Sequence, residues 1–142
     1  MLHDAPLLRR ALTLNALFSG LSGLALALAH RPLSAWIGVG QPLVLLGVGA
    51  GLLAFALHLG RVARRPIAPS LALSIVVSDA LWVAGTAVLV LGFPGALSPA
   101  GRALAVAVAA VVGLLAALQL KGLLDARAPA RQMDRDGAPV TR

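Results

Sequence analysis

Four long apolar stretches, each near the length of a bilayer crossing, constrain the fold of this chain. They cover residues 8–29, 43–59, 71–93 and 103–120, with Arg and Lys only at their ends or between them and no interior Pro. A helix of about 20 apolar residues crosses the hydrocarbon core, and an unbroken span avoids Pro. We predict an all-α fold, an integral membrane four-helix bundle over residues 1–124. Residues 125–142 lack an apolar face and are predicted to be a disordered cytoplasmic tail.

The composition supports a membrane protein and excludes several functions. Hydrophobic residues make up 59% of the chain, charged residues 12%, and the net charge is +7; soluble domains carry about 25% charged residues. The basic residues flank apolar stretches, so they indicate contacts with anionic headgroups rather than nucleic acid. The absence of Cys excludes thiol–disulfide oxidoreductases and Cys-ligated metals.

The distribution of basic residues predicts the orientation. Two of the twelve, Arg31 and Arg102, fall in the first and third loops, and the other ten fall at the termini and in the second loop. Cytoplasmic loops carry the excess of Lys and Arg, so both termini are predicted to be cytoplasmic. The Ala-, Leu- and Arg-rich usage is typical of a bacterial protein, which places the chain in a bacterial inner membrane.

An alternative for the first stretch is a cleaved signal peptide. Arg9 and Arg10 would form its basic region, and residues 27–29 offer small residues at a cleavage site. The apolar run exceeds the ~7–15 residues of such a core. We therefore interpret it as the first span.

Asp79 is the only acidic residue within the four stretches. At a rise of about 1.5 Å per residue it lies ~15 Å inward from the start of its helix. A carboxylate at that depth needs a partner, water or a proton, and by default marks a functional or structural site. Helical spacing places Asn15 and Ser19 on one face of the first span, with Ser78 and Trp82 close to Asp79 on the third. These five residues form a predicted buried polar cluster.

Small residues predict close helix contacts. Gly47 and Gly51 form a GxxxG pattern in the second stretch, and Gly113 belongs to a similar series in the fourth. Such residues let backbones approach in lipid, either inside the monomer or between copies. The segments that begin at Gly51 and Gly113 are also alike, which suggests two helical hairpins related as a parallel repeat.

The histidines predict no metal or cofactor site. His3 lies in the N-terminal tail, while His30 and His58 lie at opposite ends of their stretches. Axial haem ligands and metal ligands must lie at similar depth. His58 is instead predicted to pair with Gln119 at matching depth.

Some short motifs resemble known membrane proteins. Asn15-x-x-x-Ser19, Asp79-x-x-Trp82 and Gln119-x-x-Gly122 resemble small four-helix bacterial membrane proteins of unassigned function. The segment from Gly49 to Arg61 is loosely similar to the DoxX-like family, four-helix membrane proteins often found beside redox enzymes. The resemblance implies the architecture and no catalytic residue.

Three functions follow as hypotheses. The first is a non-enzymatic module that forms a homo-oligomer or an accessory subunit of a membrane complex, favoured by short loops and small-residue seams. The second is a small dimeric transporter that uses Asp79 as a proton or cation site. The third, an enzyme acting on lipid, ranks last because no nucleophile–base pair is visible.

Overall fold

The protein is built from helices. The computed structural model describes the backbone of residues 5–136 and the side chains of residues 5–127. Within that range there are five helices and no β-strand: α1 (Pro6–Leu28), α2 (His30–Ile37), α3 (Pro42–Ala63), α4 (Pro69–Gly92) and α5 (Pro99–Asp136). The four longer helices are long and apolar enough to cross a membrane. The predicted all-α membrane four-helix bundle is therefore confirmed.

Each of the four long helices begins with proline. Pro6, Pro42, Pro69 and Pro99 occupy the first helical position. The first amide groups of a helix have no acceptor within it, so the missing N–H of proline costs nothing there, and its restricted φ already fits a helix. The prolines that interrupt the hydropathy pattern are thus also the residues that start the spans.

Two helical regions differ from the sequence prediction. The first loop contains α2, and α5 continues to Asp136, beyond the predicted end of the fourth span at residue 120. Lys121 and Asp125, one turn apart on α5, form an ion pair of 2.7 Å, a spacing that supports helix beyond the apolar stretch. The predicted disordered tail is therefore helical up to Asp136, and residues 137–142 lie outside the described residues.

Ser98 fastens α2 to the start of α5. Its backbone amide donates to the carbonyl oxygen of Ile37 at 2.8 Å, and its hydroxyl donates to that of Trp36 at 2.7 Å. The same hydroxyl accepts from the amide of Gly101 at 2.9 Å, which caps α5. Gly38 ends α2 with φ of 90°, a left-handed conformation that favours glycine. These hydrogen bonds therefore join the α4–α5 loop to α2, which lies in the connection between α1 and α3, and together they close one end of the bundle.

The long helices pack in the order α3, α1, α5, α4. No Cα of α4 lies within 8 Å of a Cα of α1 or α3. At one end, called the base, a core of fully buried side chains closes the bundle; its largest members are Leu8, Leu12, Leu59, Ile67 and Leu123. The bundle is therefore sealed at the base and separated between α3 and α4 above it, which leaves room for a cavity.

Candidate functional site

The predicted carboxylate lies inside the bundle. Asp79 on α4 is 4% exposed. Its Oδ2 accepts hydrogen bonds from Asn15 Nδ2 on α1 at 2.6 Å and from Gln119 Nε2 on α5 at 3.1 Å. Both amide residues are fully buried at 0% exposure. Ser19, one turn beyond Asn15, donates to Asn15 Oδ1 at 3.2 Å and so fixes which end of the amide faces Asp79.

The Asn15–Asp79 hydrogen bond joins two helices whose backbones do not meet. Since α1 and α4 have no Cα pair within 8 Å, the side chains of Asn15 and Asp79 bridge the gap between them. Gln119 reaches the same oxygen from α5, which packs against both. Buried hydrogen bonds in a low dielectric are strong and costly to break. The polar cluster therefore holds three helices at a set distance around a space.

The hydrogen-bond donors to Asp79 are neutral amides rather than a cation. Within residues 5–127 the ion pair of the structure is Lys121–Asp125 on α5, and Asp79 has no basic partner. Both donors converge on Oδ2, so Oδ1 has no hydrogen bond from the described side chains. Gln119 Oε1 is buried and also has no hydrogen-bond partner among the described residues. The cluster thus leaves two acceptor oxygens without donors.

A cavity of about 280 Å³ lies beside Asp79. Its walls come from α1, α3, α4 and α5. The lining residues are Phe18, Ser19, Ser22, Val48, Gly51, Leu52, Phe55, Ser78, Asp79, Trp82, Val108 and Val112. Phe18, Phe55 and Trp82 are three of the five Phe and Trp residues of the chain. A single carboxylate and an aromatic wall therefore face the same space.

A second cavity of about 620 Å³ continues from the first toward α2. The two share a set of lining residues: Ser22, Val48, Leu52, Trp82 and Val108. Most other walls of the outer cavity are aliphatic, from Leu26 on α1 to Leu104 on α5. Trp82, which is 41% exposed, lines both cavities and lies where they join. Asp79 and three serines therefore lie in the inner cavity, at one end of a continuous and mostly apolar space.

The predicted polar cluster is brought together around this cavity. Asp79, Asn15 and Ser19 are buried and linked by hydrogen bonds. Ser78 and Trp82, which were predicted to be buried with them, are exposed and line the space beside them. The Ser78 hydroxyl donates to the carbonyl of Ser74 in its own helix at 2.9 Å. Ser78 therefore does not take part in the Asp79 contacts.

The predicted pairing of His58 with Gln119 is wrong. Gln119 donates to Asp79 instead, and His58 is exposed on α3. Their estimated depths match, but α3 and α5 are not neighbours in the bundle. Depth along the membrane normal places two residues at one level and does not determine which helices touch.

Within the monomer, the predicted close contact through Gly47 and Gly51 is not made. A Cβ at either position would meet nothing within 4 Å, and both glycines are exposed. The close crossing of α3 with α1 uses Gly49, where a Cβ would lie 2.8 Å from the carbonyl oxygen of Gly23. Two residues along a helix correspond to a rotation of about 200°, so the close contact within the monomer uses the opposite face of α3 from Gly47 and Gly51. Gly113 faces Val83 at an ordinary contact distance of 3.8 Å.

Neither a known family, nor a curated protein, nor a solved structure matches this chain. The DoxX-like resemblance therefore stays a prediction from the residues.

Proposed function

We propose that this protein is a non-enzymatic membrane subunit that assembles with a second copy of itself. The observation that carries this proposal is the uncovered face of α3. Gly47, Gly51 and Ala54 follow one another along it and are all exposed. In the single chain, α3 packs against α1 and α2, which leaves this face uncovered, with Gly51 at the edge of the cavity beside Asp79.

Small residues on an exposed membrane helix favour helix association. Lipid tails are as apolar as leucine, so the gain comes from close backbone packing, which Gly and Ala allow. A two-fold axis beside α3 would bring the same face of two copies together in one self-complementary interface. An accessory role in a larger complex uses the same face with another protein.

Substitution of Gly47 by leucine tests the proposal. We expect about tenfold weaker self-association or more, because the side chain forces the two backbones apart. Folding should be unchanged, since nothing lies within 4 Å of a Cβ at Gly47. Energy transfer between labelled copies in lipid bilayers measures the association.

Ala84→Leu is the matched control for Gly47→Leu, because it adds similar bulk to an exposed position of α4. If wild type and Gly47→Leu associate equally, the proposed α3 interface is wrong. If wild type instead captures a different protein at a fixed ratio and Gly47→Leu does not, the accessory role replaces self-assembly.

We further propose a bacterial inner membrane location with both termini in the cytoplasm. Arg9 of α1 donates to the carbonyl oxygens of Ala63 at 2.6 Å and Arg65 at 2.9 Å. The basic start of α1 and the basic α3–α4 loop therefore meet at the base, which supports a single positively charged side of the bundle. The exposed Arg10, Arg61 and Arg64 of that side would contact anionic headgroups.

Single-cysteine labelling checks the orientation, because the chain has no Cys. We expect Gly95→Cys, in the exposed α4–α5 loop, to react with a membrane-impermeant maleimide on intact spheroplasts. Arg64→Cys, exposed in the α3–α4 loop, should react only after lysis. The reverse pattern would contradict the proposed orientation.

A second candidate function is proton- or cation-coupled transport through Asp79. The favouring observation is the cavity beside this carboxylate, which Ser19 and Ser22 also line. Intramembrane carboxyl groups beside cavities commonly mark proton and ion pathways. In reconstituted vesicles, Asp79→Asn should abolish coupled proton flux, because an amide cannot release a proton.

A further inference from the structure

We propose that the two joined cavities bind a single-chain amphiphile with an ammonium head, seated against Asp79. This inference rests on the cavity of the second candidate function and names its ligand class. Binding itself requires neither transport nor assembly.

The inner cavity matches an ammonium head. Asp79 supplies a carboxylate whose Oδ1 has no hydrogen bond from the described side chains, and no basic side chain of residues 5–127 pairs with it. Phe18, Phe55 and Trp82 line the same space. Aromatic faces attract organic cations, most strongly when the cation is desolvated. A carboxylate in a low dielectric attracts the same charge.

The outer cavity matches an alkyl chain. Its volume of about 620 Å³ adjoins the inner 280 Å³, and its walls are mostly Leu, Val, Ile and Ala. Such walls gain free energy when they bury methylene groups. A ligand with a charged head and one apolar chain therefore fits with its head beside Asp79 in the inner cavity and its chain against the aliphatic walls of the outer cavity.

The route of entry is from the membrane. Above the closed base, α3 and α4 have no Cα pair within 8 Å. Gly51 of α3 and Trp82 of α4 line the inner cavity and are exposed. An amphiphile already dissolved in the bilayer can therefore reach Asp79 from the side.

Protons should compete with this ligand. Asp79 is the only titratable residue among those lining the inner cavity from α1, α3, α4 and α5. Among residues 5–127, the charged groups of these helices other than Asp79 line neither cavity: Arg9 and Arg10 on α1, Arg61 on α3, and Arg102, Lys121, Asp125 and Arg127 on α5. His58 of α3 is exposed and lines neither cavity. Where Asp79 is protonated, binding of an ammonium ion releases one proton to solvent, so affinity should rise with pH and then level off.

Fluorescence of Trp82 measures the binding directly. The chain has two Trp and no Tyr, so Trp36→Phe leaves Trp82 as the sole emitter, beside both cavities. The purified variant in lipid nanodiscs is titrated with octyltrimethylammonium, octanol and octyl sulfate. These probes share one chain and differ in head charge.

We expect a saturable change in Trp82 emission with octyltrimethylammonium, at an affinity about tenfold or more above that of the other two probes. In the same background, Asp79→Asn should weaken cation binding about tenfold or more by removing the charge. Phe55→Leu should weaken it about threefold by removing an aromatic face. Asp125→Asn, which neutralises a carboxylate outside the cavities, should leave it unchanged.

Equal responses to the three probes, or full cation affinity in folded Asp79→Asn, would overturn the inference. Should Asp79→Asn fail to fold, the pH series of the Trp36→Phe protein decides, because an affinity independent of pH excludes a carboxylate at the site. Saturable cation binding without coupled flux would retain this inference and reject the transport function.

Discussion

Replacement of Gly49 by alanine should destabilise the folded protein by about 1–3 kcal/mol, the usual cost of overpacking a tight contact. The new Cβ would lie 2.8 Å from the carbonyl oxygen of Gly23 and 2.9 Å from the amide nitrogen of Ala27. Both neighbours are backbone atoms, which cannot rotate away as a side chain does. The crossing of α1 and α3 must therefore widen. Thermal unfolding in detergent, followed by circular dichroism, measures the loss.

Gly47→Ala is the control for Gly49→Ala. It makes the same change on the same helix, about 3 Å away along the axis. A Cβ there meets nothing within 4 Å, and alanine is the better helix former by about 1 kcal/mol. Its stability should equal or exceed that of wild type. If the two variants unfold alike, the close crossing through Gly49 is wrong.

Replacement of Asp79 by leucine should cost about 2 kcal/mol or more, because it leaves two buried amides without their acceptor. Asn15 and Gln119 are both 0% exposed, so water cannot replace the carboxylate without opening the bundle. Single hydrogen bonds in membranes reach at most about 1.7 kcal/mol, and two are lost here. Asp79→Asn keeps an oxygen that can accept from both amides and should stay within about 1 kcal/mol of wild type.

Ser78→Ala, next to Asp79, controls for a change at this depth of α4. Its hydroxyl bonds to its own helix at Ser74, so its removal should be nearly neutral. Equilibrium unfolding of the four proteins under one detergent condition gives the comparison. Equal stability of Asp79→Leu and Asp79→Asn would show that the amide contacts do not hold α1, α4 and α5 together.

Part of the polar site could be predicted from local spacing. Asn15 and Ser19 are four residues apart, so they share a helix face wherever that helix packs. Asp79 must avoid lipid because of its charge, and polar groups of another span are its natural partners. Gln119 was missed as a partner of Asp79, although its residue type and span were known. Its assignment to His58 used depth alone, and depth is shared by residues on all four helices.

The sequence by itself determined the class of this protein. Its four apolar stretches without interior proline determine four spans, because a hydrocarbon environment accepts few alternatives. Tertiary structure alone decided the helix order α3, α1, α5, α4, and with it which side chains face one another. That order sets Gly49 against Gly23, turns Gly47 and Gly51 outward, and opens the cavity beside Asp79. Near-uniform Ala and Leu faces give no preferred rotation to a helix in lipid, so packing against specific neighbours selects the inward face.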